Sequence, residues 1–182
     1  MKNNLSSGKT LAKLLSVLIV IAVLLTVVPV AYAESNGPLT AIPGLGRLPN
    51  ETLMKMHQKV GGWLVDQEAV FVQAGLIGAT YDDLITAQSK KKKDVTFLKD
   101  ALSSFLTEVA GARDVNSQAG ITIFSLSGWK ANGEVRDRLA AGESLLLGRD
   151  QVKDANFRLT NAINILRKSL DRWRVLRLRG EQ

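Results

Sequence analysis

The chain contains no cysteine, one histidine and four prolines in 182 residues. Without cysteine there is no disulfide, no thiolate ligand and no thiol nucleophile, so any stable fold must rest on an ordinary hydrophobic core. The lone His57 rules out a His–His metal cluster, and the Glu-x-x-His spacing of di-metal bundles is absent. It reads as a partly exposed structural side chain. No glycine-rich nucleotide loop and no G-x-S-x-G elbow is present. Asp82 and Asp83 are adjacent, which on a helix points them about 100° apart, a solvated face rather than a proton-sharing pair. The stretch KANGEV (130–135) has the Asn-Gly of a calcium loop, but that register puts Gly128, Lys130 and Leu139 where carboxylates belong. It reads as a turn. These absences predict a protein that is not an enzyme, with no catalytic, cofactor-binding or metal-binding residue.

The prolines (Pro29, Pro38, Pro43 and Pro49) all precede residue 50. Beyond them no pyrrolidine ring removes a backbone donor, so long helices are permitted. What precedes them has a different character. Lys2, Lys9 and Lys13 are followed by an apolar stretch from Leu14 to Ala31, and Ala31 and Ala33 flank Tyr32 just before Glu34. That is the layout of a signal peptide over 1–33, cleaved at about Ala33. The predicted location is therefore exported, extracellular or periplasmic. The alternative is an uncleaved N-terminal membrane anchor, since the apolar run is long enough to span a bilayer. Loss of three lysines would lower the net charge from +7 to +4. Residues 34–50, ESNGPLTAIPGLGRLPN, read as a Pro/Gly-rich tether.

From 51 to 182 three segments carry apolar residues at helical spacing. The first repeats every seven residues through Met56, Trp63, Val70, Ile77 and Leu84, supported by Val60, Ala74 and Tyr81. The second has Val95, Leu102, Val109 and Ile123 in one phase, with Leu98, Phe105, Ala112, Ala119 and Leu126 in the next. In the third, Leu145, Val152, Leu159, Leu166 and Trp173 are reinforced by Ala155, Ala162, Ile163, Leu170 and Leu176. Asn50 is a candidate N-cap for the first segment, Asp94 or Thr96 for the second and Asp137 for the third. Short connections at QSKKKKDV and SGWKANGEVRD make neighbouring helices antiparallel. The predicted fold is all-α, an elongated up-down-up three-helix bundle with helices of roughly 33 to 43 residues, about 50 to 65 Å long. The alternative is four helices, if the second breaks near Gly111 or Gly120.

The turn KDVTFL (Lys93–Leu98) and the turn GWKANGEVRD (Gly128–Asp137) resemble the K-D-V-[ST]-x-L and G-[FW]-x-A-x-G-x-V-x-D turns of a group of exported bacterial helical-hairpin proteins. The resemblance covers the two turns and the periodicity from about residue 50 onward. It implies a helical fold and export, and no activity.

Two features are left for function. In an up-down-up bundle the first and third helices end together. Lys90, Lys91, Lys92 and Lys93 would then meet Arg167, Lys168, Arg172, Arg174, Arg177 and Arg179 at one pole. Lysine and arginine are also favoured at helix C-termini for dipole reasons alone, but ten exceed that need. Lys90–Lys93 with Arg172, Arg174, Arg177 and Arg179 are thus the candidate anion-binding residues, the partner being an anionic polymer or a membrane surface. No base-reading motif accompanies them, so no specific nucleic-acid partner is predicted. The second feature is polar. Gln67, Asn116 and Asn156 interrupt the seams at roughly 26, 17 and 29 Å from the lower end. Such a layer fixes register rather than forming a cavity. Trp129 lies off every seam, either capping the core or offering a contact. The functional expectation is a structural or interaction module of the cell envelope, capable of self-association, with two alternatives: a binder of anionic polymers or headgroups, and an envelope chaperone.

Overall fold

The structure, a computed structural model, describes residues 48–178. The predicted signal segment, all but the end of the tether, and Arg179 lie outside the described residues. Three helices follow in order: α1 (Asn50–Ser89), α2 (Thr96–Phe124) and α3 (Arg138–Leu178). The second helix runs unbroken through Gly111 and Gly120, so the four-helix alternative does not hold. Its 29 residues are fewer than predicted. The chain reverses after Phe124, with the Trp129 N–H donating to the Leu126 carbonyl and Gly128 at positive φ. Leu126, expected on a seam, is therefore outside the helix and exposed.

The ends are built as their chemistry dictates. Asp137 caps α3, its Oδ1 accepting from the Leu139 and Ala140 N–H groups at 2.9 and 3.2 Å. Asp94 Oδ1 accepts from Thr96 N–H at 2.9 Å. Asn50 does not cap α1. The Pro49 carbonyl takes the first bonds, from Thr52 and Leu53, which puts Pro49 itself at the N-cap position. The Asn50 Oδ1 instead accepts from Arg138 Nε at 2.8 Å.

The described chain divides into two compact units, each drawing on all three helices. Unit I comprises residues 70–110 and 158–178. Its core joins Ile77, Tyr81, Leu84 and Ile85 of α1, Leu98 and Phe105 of α2, and Ile163, Leu166 and Trp173 of α3. Arg172 contacts Phe97 and Arg158 pairs with Glu108, so α2 and α3 run antiparallel. The buried Tyr81 hydroxyl donates to Ser169 Oγ, which in turn donates its own O–H to the Leu166 carbonyl at 2.8 Å. Burial raises the phenol pKa above 10.0, and the bond to Ser169 opposes that shift.

Unit II comprises residues 48–69 and 111–157. Here His57 meets the Ile123 carbonyl and Glu68 meets Asn116, which makes α1 and α2 antiparallel. Asn50 meets Arg138 and Gln67 meets Val152, which makes α1 and α3 parallel. One apolar cluster gathers Val60, Leu64, Ala119, Ile123 and Val152, and a second gathers Leu53, Trp129, Ala141 and Leu145. The approach of α2 to α3 is close because Gly148 has no side chain. A Cβ there would stand 2.3 Å from Ile123 Cγ1.

The predicted seams are mostly buried, Leu126 apart, with Leu102 and Val109 of α2 and Leu170 and Leu176 of α3 half-buried. In α1, Val60, Ala74, Ile77, Tyr81 and Leu84 are buried where the periodicity puts them, but Met56, Trp63 and Val70 are only half-buried. The buried rows of α1 also take in Leu53, Gln67 and Gln88 and, one seam over, Leu64, Phe71, Gly78 and Ile85, with His57 half-buried.

Candidate functional site

The lysine run forms the C-terminal cap of α1 and the turn into α2. Lys93 N–H bonds the Gln88 carbonyl at 3.3 Å and Lys92 N–H bonds the Ser89 carbonyl at 2.8 Å. This pair of bonds is a Schellman cap, whose left-handed residue is usually glycine. Here it is Lys92, at φ 58°, the one non-glycine residue with positive φ among the described residues. A side chain in that conformation costs roughly 1–2 kcal/mol. Lys90, Lys91 and Lys92 are exposed and Lys93 is half-buried.

Arg172, Arg174 and Arg177 are exposed on the last turns of α3. Two of them are held over aromatic rings. The Arg172 guanidinium lies 5.0 Å from the Phe97 centroid, and that of Arg177 lies 5.6 Å from Trp173. Arg174 is 3.9 Å from Asp171. Arg172 also stands close enough to the lysine turn to act on Asp94. That carboxyl is held below its ordinary pKa first by the Thr96 N–H and hydroxyl, with Arg172 adding to the effect. The structure thus brings Arg172 to the turn and sets two arginine side chains over aromatic rings, a detail that no sequence spacing reveals.

In unit II two of the three polar residues lie at one level, Asn116 meeting Glu68 next to Gln67. Gln67 and Asn116 are buried, and Asn156 is half-buried. Gln67 Nε2 donates to the Val152 carbonyl at 3.0 Å, and Asn116 Nδ2 donates to Glu68 Oε1 at 3.3 Å. The amide oxygens of Gln67, Asn116 and Gln151 are buried without a protein partner. Gln151, adjacent to the Val152 seam, has no signature in the sequence, because a single glutamine beside a valine carries no periodic signal. A buried acceptor without a partner costs about 1–3 kcal/mol. Asn116→Leu is therefore expected to raise stability by about 1–2 kcal/mol, since it removes one such oxygen and loses only a long bond to an exposed carboxylate. A higher urea midpoint checks this, and a lower one would mean that the amide belongs to a satisfied network.

His57 and Trp129 serve packing. Nε2–H of His57 donates to the Ile123 carbonyl at 3.0 Å, one of the carbonyls that the end of α2 leaves without a helical partner. Its ring lies 4.4 Å from that of Trp129. Trp129 is buried and donates Nε1–H to Ser144 Oγ at 3.2 Å, so it caps the core of unit II rather than offering an outward contact. Among the described residues no three His, Asp or Glu side chains are placed to hold a metal ion. No described helix is long and apolar enough to cross a membrane. No family model, curated protein or solved structure matches the chain.

Proposed function

We propose that the protein is an exported, non-catalytic helical-bundle module of the cell envelope that docks on anionic groups through the Lys90–Lys93 turn and the basic end of α3. The observation that carries this reading is Lys92. A turn needed only to reverse the chain would be more stable with glycine at the left-handed position, yet a lysine stands there with exposed lysines before it. The placement of α3 supports it. Tyr81 and Ser169 are level in unit I, and eight residues remain in α1 and nine in α3 beyond them, so both C-termini end at a similar height. Arg172 and Arg177 lie over aromatic rings at that end of α3, Arg172 within reach of the lysine turn. Export is inferred from the positive, apolar and A-x-A order of residues 1–33.

The shared chemistry of the ligand is a dense array of phosphate or carboxylate groups, carried by lipid headgroups or by an envelope polymer. Co-sedimentation with anionic vesicles and retention on a soluble polyanion separate the two sources. Each lysine near an anionic surface contributes about 1 kcal/mol, so replacing all four by alanine should weaken binding by two to three orders of magnitude. Binding should also fall steeply as salt rises. Lys92→Gly adds a control in which stability and binding move in opposite directions. It should raise the urea midpoint by the equivalent of about 1 kcal/mol while weakening binding about fivefold. Unchanged binding after the fourfold replacement, to both vesicles and polyanion, would sink the reading.

A further inference from the structure

The end of α3 presents more than charge. Val175 and Leu178 are 46% and 83% exposed on the final turns of that helix. At about 100° per residue they project on the side opposite Trp173, which is buried in the core of unit I. Three residues apart, they form one apolar strip. Arg172 and Arg174 flank it on either side, Arg177 turns toward Trp173, and Asp171, in line with the strip one turn back, lies 3.9 Å from Arg174. A soluble polyanion gains nothing from two bare aliphatic side chains. The interface of an anionic bilayer has both halves of the complement, phosphates for the guanidinium groups and an acyl boundary for Val175 and Leu178.

We infer that the partner of this surface is an anionic lipid bilayer, with Val175 and Leu178 entering the headgroup–acyl boundary while Lys90–Lys93, Arg172 and Arg174 contact phosphates. The inference rests on the anion-docking reading above. Charge alone gives reversible association. Shallow apolar insertion gives a component that persists when salt screens the charges. The binding is peripheral, by the side of a helix end, and does not involve a membrane span.

The test uses the full chain and its Val175→Ser/Leu178→Ser variant. The probes are vesicles of phosphatidylglycerol with phosphatidylcholine, vesicles of phosphatidylcholine alone, and soluble polyphosphate. Loss of the two apolar side chains should weaken binding to the anionic vesicles about thirtyfold and abolish the salt-resistant fraction, while polyphosphate binding changes less than twofold. Both positions are exposed, so the urea midpoint should stay put. Equal binding of the variant and the parent to anionic vesicles overturns the bilayer inference and leaves anion docking intact. Loss of neither probe on Lys90–Lys93→Ala removes the underlying reading instead. Binding of the parent to polyphosphate but not to anionic vesicles also overturns the bilayer inference, in favour of a polymer.

Discussion

Gly128→Ala is expected to destabilise the protein by more than about 4 kcal/mol, at the exceptional end for a single substitution. Two costs combine. At φ +78° an alanine pays for the left-handed conformation, roughly 1–2 kcal/mol. The larger cost is contact. A Cβ at this position would lie 2.1 Å from the Ala141 nitrogen, 2.6 Å from its Cα and 2.7 Å from the Ala140 carbonyl carbon. These are backbone atoms of the first turn of α3, which cannot rotate aside as a side chain can. Relief requires the loop and the helix start to part. That would strain the bonds from Arg136 and Asp137 N–H to the Gly128 carbonyl, and with them the Asp137 cap. Gly133 provides the comparison. It has φ +81°, but nothing lies within 4 Å of its Cβ position. Gly133→Ala should therefore cost only the conformational part, about 1–2 kcal/mol. Urea midpoints of the two variants measure the difference, and equal losses would show that Gly128 is not in close contact with α3.

The two variants differ although both glycines sit in the same connection between α2 and α3, which the sequence marks only as a turn. Asn132–Gly133 is recognisable there because Asn-Gly tolerates positive φ. Gly128 is not, because its requirement comes from α3 packed against it. The same division runs through the molecule. The α3 seam was legible because Leu145, Val152, Leu159, Leu166 and Trp173 are all large and apolar at strict sevens. The α1 seam is legible only in part: Val60, Ala74, Ile77, Tyr81 and Leu84 are buried as the pattern has them, but the buried rows also contain Gln67, Gln88 and the side-chain-free Gly78, with His57 half-buried, while Met56, Trp63 and Val70 on the flank are apolar. A hydrophobic pattern records side-chain type, so polar groups that find partners inside and apolar ones left at an edge both mislead it. At the candidate site the charges were in plain view. The left-handed Lys92, the stacking of Arg172 on Phe97 and the outward Val175 and Leu178 depend on tertiary placement and carry no local signature.

Trp129 shows how such a placement determines stability. Truncating it to alanine is expected to cost about 3–5 kcal/mol, the range for removing a large buried aromatic. The ring is 3% exposed and packs with Leu53, Ala141 and Leu145, with Leu48, Met54, Met56 and Val135 around them. It reaches that position because the Trp129–Val135 bridge and the Lys130–Gly133 turn fold the loop back over the end of unit II. The indole N–H is less important than the ring. Ser144 Oγ donates its own proton to the Ala141 carbonyl at 3.0 Å, so losing the Trp129 donor leaves no buried donor unpaired. Trp129→Phe should accordingly cost no more than about 1–2 kcal/mol, mostly the lost volume and one hydrogen bond. The alanine variant has a second consequence. The His57 ring, 4.4 Å from Trp129, loses one wall and becomes more accessible, while its bond to the Ile123 carbonyl remains. Faster hydrogen exchange over residues 121–145, confined to the alanine variant, would report the opened end of the core. If Trp129→Ala costs less than about 1 kcal/mol, the ring is not a cap, and an outward role as a contact residue becomes the better account of a tryptophan off every seam.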